Sequence, residues 1–196
     1  MRVWLTLLLA VALVPLLAAG PALGSAHPDL ASVEQKLRRI QSNGELQTPD
    51  KTPTEFSQNE INSYFASGIF QLPIGVESVR FAGQPGIITG TAEIDFEALK
   101  DGRSSYNPLL AIFTGVHEVV VVAHAHGAGG LGLVHVDRVT LDGVEIPRYV
   151  LQMFAERYIQ PKHPGIGLDS QFALPYRIDS ATVGTQTLAV TQKQPS

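Results

Sequence analysis

The chain has 196 residues, 44% of them apolar, and a formal charge of −4. This supports one domain with a real core and excludes the basic field of a nucleic-acid binder. There is no cysteine, which excludes disulfides, thiolate metal sites, a thiol nucleophile and a lipid-modified N-terminal cysteine.

Residues 1–26 have the pattern of an export signal. Arg2 supplies the charge, "VWLTLLLAVALVPLLAA" the apolar stretch, and Ala22 to Ala26 the small residues that a signal peptidase reads. Cleavage would place the mature protein in a periplasmic or extracellular compartment; the alternative is an uncleaved membrane anchor. No second apolar run approaches the roughly 18 residues of a membrane span.

Residues 27–52 are read as an N-terminal helix and linker, 53–192 as one α+β domain and 193–196 as a tail. Leu30, Val33, Leu37 and Ile40 recur at helical spacing, with Asp29 as N-cap and Gly44 as stop. "ELQTPDKTPTE" reads as a linker. In "FSQNEINSYFASG", Ser57 and Glu60 form a capping box, Phe56 and Ile61 a hydrophobic staple, and Gly68 a left-handed stop. Ile61, Tyr64 and Phe65 form its buried stripe.

Strands follow. "VESVRFAG" turns through "QPG" into "IITGTAEIDFEAL", where Ile88, Gly90, Ala92, Ile94 and Phe96 alternate with polar positions. Glu93, Asp95 and Glu97 read as a solvated face rather than a carboxylate pair. After the polar loop "KDGRSSYNP" comes "HEVVVVAHAHGAGGLGLVHVDRVTLDG", an apolar hairpin with four of the six histidines. A turn at Gly129-Gly130 places Val119, Val121, Ala123 and Ala125 on one face with Val134 and Val136, ending at His117 and Arg138. The other face carries His124 opposite His135, with His126 two residues along, and also Asp137 and Val139. Pro147 then opens a helix with Val150, Leu151, Phe154 and Tyr158 as its stripe, ended by Pro161. "PKHPGIGLDSQF" reads as a loop. "LPYRIDSATV" and "TLAVTQ" close the domain as a strand pair. Short turns between successive strands point to an antiparallel sheet.

Three clustered histidines match a catalytic zinc set, so His124, His126 and His135 are the candidate metal ligands of a minority reading, a metal-binding protein or metal-dependent hydrolase. Asp169 beside Ser170 is not a triad, and the chain has no nucleophile elbow and no phosphate-cradling loop, so no cofactor is expected.

The helix "FSQNEINSYF", the strand ending "GTAEIDFEAL", the turn "LDG-x-x-IP" (Leu141 to Pro147) and the later "LPY" (Leu174 to Tyr176) resemble the bacterial extracytoplasmic members of the TULIP superfamily of tubular lipid-binding proteins. The resemblance covers about Pro53 to Gln192. It implies a long, coiled antiparallel sheet, a half-barrel wrapped around one or two helices, with an apolar groove for acyl chains. It transfers no catalytic residue. The groove lining would comprise Ile88, Ile94, Phe96, Val119, Val121, Ala123, Ala125, Val134, Val136, Leu151 and Phe154. The expected function is therefore non-catalytic binding of a lipid or other amphiphile, with contact to a membrane surface. A structural envelope adaptor with a filled core is the remaining alternative.

Overall fold

The helical spacing at Leu30–Ile40 forms the first element of the computed structural model, which describes residues 28–101, 114–160 and 165–193. The expected export signal, most of the "KDGRSSYNP" loop and Pro161 lie outside the described residues. Helix α1 spans Pro28–Glu45 and buries Leu30, Val33, Leu37 and Ile40. Two details differ from expectation. Asp29 lies in the first turn of the helix, which begins at Pro28, so it is not the cap. Gly44 does not stop the helix; a Cβ there would sit 2.5 Å from the carbonyl oxygen of Tyr176, so it is a glycine because another backbone passes against it.

The expected linker ends in a strand. β1 (Thr54–Ser57) pairs antiparallel with the last strand of the sheet and buries Thr54 and Phe56. Ser57 then caps α2 (Gln58–Ala66). Its hydroxyl accepts from Glu60 N at 3.2 Å, and Glu60 accepts from Ser57 N at 2.7 Å, completing the capping box. Gly68 has the left-handed backbone expected just after the helix (φ 76°).

β2 (Val76–Gln84) and β3 (Ile87–Asp95) form the first hairpin. Phe96 does not continue β3. The chain turns there into a short helix, α3 (Phe96–Asp101), and Asp95 accepts from Glu97 N at 2.8 Å and Ala98 N at 3.2 Å. Asp95 thus acts as a helix cap, and Glu97 is not on the strand face.

β4 (Val116–Ala128) and β5 (Leu131–Leu141) are the quoted hairpin, turning at Gly129-Gly130 as expected, both with positive φ. A second tight turn, Asp142-Gly143, also with positive φ, leads to the two-residue strand β6 (Val144–Glu145). Helix α4 (Arg148–Phe154) follows and passes into one π-helical turn, Ala155–Ile159, which contains Tyr158. Pro147 sits at the cap position, one residue before the first helical turn. The expected loop at "GLDSQF" contains β7 (Asp169–Ala173), an edge strand on β5. β8 (Ile178–Gly184) and β9 (Thr187–Gln192) complete the sheet.

Every pairing among these nine strands is antiparallel. β4 is the spine. One edge carries β5 along most of its length; the other carries β3 up to His124 and then β8 at His126 and Gly127. The β2–β3 and β8–β9 turns therefore meet, joined by Gly86 N to Val183 O and Gln186 N to Gly83 O, each 2.9 Å. The outer edge of β2 is covered by α2: Asn62 exchanges two hydrogen bonds with the backbone of Phe81 (2.7 and 2.9 Å), and Gln58 accepts from Gly83 N at 3.1 Å. Side-chain amides thus take the place of a further strand. One apolar core joins α1, α2 and the inner sheet face.

Replacing Ser57 with Ala should lower stability by about 1 kcal/mol, because the first-turn N–H of Glu60 loses its acceptor. A shift of the urea midpoint at constant slope would show this; an unchanged midpoint would mean that β1 alone positions the helix.

Candidate functional site

The inner face of the β4–β5 hairpin is as apolar as its alternation requires. Val119, Val121, Ala123, Ala125, Val134 and Val136 are all buried. They share one core cluster with Ile88, Ile94, Phe96 and Leu151. Phe154 lies at the margin, only partly buried. His124 stands opposite His135, as the Gly129-Gly130 turn demands.

A β-bulge changes the far half of the hairpin. Ala123 faces Val136 while Val122 faces Arg138, so Asp137 is the extra residue. Without it Arg138 would point into the core and Val139 outward. With it Arg138 is exposed and Val139 is buried. The expected placement of Arg138 at the end of the valine face, and of Val139 on the histidine face, is thereby corrected.

The space above the small residues near the turn is occupied. A Cβ on Gly132 would lie 2.6 Å from Phe172 and 3.2 Å from Leu174, both delivered by β7 and the turn after it. A void of about 10 Å³ remains, lined in part by Ala125, Val134, Phe172, Val183 and Leu188. Val183 and Leu188 also wall a second, larger cleft of about 40 Å³. This cleft lies between α2 and the two meeting turns, lined by Gln58, Ile61, Phe81, Ala82, Gly83, Ile88, Gln186 and Thr187 besides. It is far smaller than the roughly 300–1,000 Å³ of a typical small-molecule site. Of the expected lining residues Ile88 touches it, as does Ile61 of the α2 stripe. Phe81, Val183 and Leu188 escaped the sequence reading because they converge from three elements.

The outer face of the hairpin carries a chain of polar contacts. His124 Nδ1 lies 2.8 Å from Asp137, and His135 Nδ1 bonds Asp169. Arg148 reaches Asp169 at 3.2 Å and donates to Val136 O at 2.7 Å. Among the described residues no three His, Asp or Glu side chains are arranged to hold a metal ion. The three-histidine set of His124, His126 and His135 is therefore not assembled. Asp137 and Asp169, one at the bulge and one on the unexpected strand β7, each bind one imidazole instead. Ser170 is no nucleophile for His135: it pairs with Val134, so its side chain takes the opposite face, where its hydroxyl bonds Gly167 O at 3.0 Å.

His117, at the other end of β4, is set between two acceptors. Nδ1 lies 2.5 Å from Asp142 and Nε2 3.0 Å from Thr114 O. Only the doubly protonated ring satisfies both. The Asp142 hydrogen bond outweighs partial desolvation and raises the His117 pKa above its ordinary value, while the same bond holds Asp142 below the usual carboxylate range.

The chain matches no family model, no curated protein and no solved structure. No helix among the described residues is long and apolar enough to cross a membrane.

Two outcomes follow from this geometry. Stability contributed by His117 is complete below the unfolded histidine pKa near 6.5 and is lost as pH rises through the raised folded value. The stability gap between the wild type and His117→Gln should therefore narrow as urea titrations are moved from mildly acidic to alkaline buffer; a pH-independent gap would refute the charged clasp. Ala123 is fully buried, so Ala123→Trp should overpack the core and cost roughly 1–3 kcal/mol, read by thermal or urea unfolding. A variant as stable as the parent would reveal free space beneath the valine strip.

Proposed function

We propose that this is an exported, non-catalytic binding protein for a lipid or similar amphiphile, taken tail first through the cleft at α2. The observation that carries this reading is the shared wall of Val183 and Leu188. It separates the cleft from the void over Ala125 and Val134, so the valine strip and the opening form one apolar track interrupted by two side chains. Each methylene buried along it contributes about 0.8 kcal/mol, so an acyl chain needs no polar anchor to bind. The resemblance to tubular lipid-binding proteins and the N-terminal export signal support the same reading. The cleft admits only a few methylenes as it stands, so binding requires the helices to yield.

A second reading has its own observation. Phe172 and Leu174 fill the space above Gly132 as a permanent core would, which fits a structural envelope module without ligand.

Native mass spectrometry of gently purified protein should show a co-purified lipid mass. Ala82 lies on the exposed rim of the cleft, so Ala82→Trp should block the opening and abolish binding of a dansyl-labelled fatty acid without lowering the melting temperature. No lipid mass, together with no binding by the parent protein, would leave the structural module.

A further inference from the structure

Helix α1 packs its apolar face against α2 and β1, over the common core. Its first turns lie beside Ser57 and Glu60, its last beside Gln192, so it runs parallel to β9, which goes from Thr187 opposite Ser57 to Gln192. Its stripe of Leu30, Val33, Leu37 and Ile40 belongs to the common core.

The two ends of α1 are held in different ways. The C-terminal end is locked. Asn43 donates to Gln192 at 2.7 Å and to Asp50 O at 2.9 Å and accepts from Asp50 N, while Gln192 donates to Ile40 O and Tyr176 O. All of these groups are satisfied, and Gly44 is pressed against Tyr176. Among the described residues, the N-terminal half is fastened to α2 through one carboxylate, that of Glu60. Lys36 reaches both oxygens of Glu60, at 2.6 and 2.8 Å, and Ser32 donates to the same carboxylate. Lys36 also lies 5.8 Å from the Phe56 ring centre.

The interface beneath that half is imperfect. Tyr64 is 1% exposed and projects from α2 into the core, yet its hydroxyl hydrogen-bonds no protein atom. It is the only such buried side-chain atom among the described residues. Burying a hydroxyl without a partner costs about 1–3 kcal/mol. Glu34 of α1 is buried nearby, and its charge adds to the desolvation that raises the Tyr64 pKa. Undocking the N-terminal half returns both groups to water and offsets part of the loss of apolar contact.

We propose that the N-terminal half of α1 is a displaceable strap that swings away to admit the amphiphile tail, latched to α2 through Lys36 and Glu60 and hinged ahead of Ile40, whose carbonyl belongs to the locked end. This rests on the binding function proposed above. The strap is the part that yields; Glu60, which holds its latch, is the chain neighbour of Ile61 in the wall of the cleft.

Lys36→Met breaks the latch and leaves the Ser57–Glu60 cap intact; Ser32→Ala weakens the latch and keeps the ion pair. Hydrogen exchange on the full chain should show residues 30–37 exchanging faster than β4 in the parent. Lys36→Met should accelerate them about tenfold more, with Ser32→Ala in between and β4 little changed, as expected for loss of a charge-assisted bond. The dansyl-labelled fatty acid should bind several-fold more tightly to Lys36→Met. Exchange of 30–37 at the rate of β4 in all three proteins, meaning release only with global unfolding, would overturn the strap. Local opening without fatty-acid binding by any of them would keep the strap and overturn the amphiphile reading.

Discussion

The register of β4 governs the rest of the molecule. This strand pairs with β5 on one edge and with β3 and then β8 on the other, so nearly every other strand takes its place from it. Its alternation of buried odd and outward even residues is absolute from Val119 to Gly127. A slip of one residue would turn the valine strip to water and bury His124 and His126. The two glycines at the hairpin turn set the register at one end, and the bulge at Asp137 corrects it at the other. The bulge is needed because the hydrophobic pattern of β5 changes phase between Val136 and Val139.

Polar groups make most of the specific connections between elements. The Glu60 carboxylate serves the cap of α2, the hydroxyl of Ser32 and the ammonium of Lys36 at once. Burial alone would raise its pKa, but these three donors outweigh burial and keep it below the ordinary value. Gln192 performs the same service at the other end of α1, tying the last strand to the first helix and to the Tyr176 turn. Asn62 and Gln58 end the sheet at β2. Long-range bonds of this kind decide which elements touch, whereas the apolar contacts beneath them supply most of the stabilisation.

The two faces of the hairpin have different consequences for function. On the outer face each of two histidines is matched with a carboxylate, and Arg148 joins the chain at Asp169. The result fastens β5, β7 and the start of α4 together. On the inner face Val119, Val121, Ala123 and Ala125 with Val134 and Val136 are apolar and buried, and His117 stands at its end. The opening left beside α2 is about 40 Å³.

The sequence by itself determined much of what rests on neighbours a few residues apart, though not the ends of α1 or the cap at Asp95. The Ser57–Glu60 box, the stripe of α1, the alternation of β3 and β4 and the Gly129-Gly130 turn were all legible, because capping, periodicity and positive φ are local properties. The facing of His124 and His135 followed from that turn alone. Tertiary structure decided the rest. β1 is a strand because Thr54–Ser57 meets β9 from the far end of the chain, and the prolines just before it, Pro49 and Pro53, gave no local sign of this. β7 exists because β5 offers an unpaired edge to a segment that reads as a loop. Asp137 and Asp169 reach the ring nitrogens of His124 and His135 from a bulge and from that unforeseen strand. The cleft could not be read at all: Ile61, Phe81, Ile88, Val183 and Leu188 are ordinary core residues in their own segments, and only the meeting of two remote turns against α2 leaves space between them.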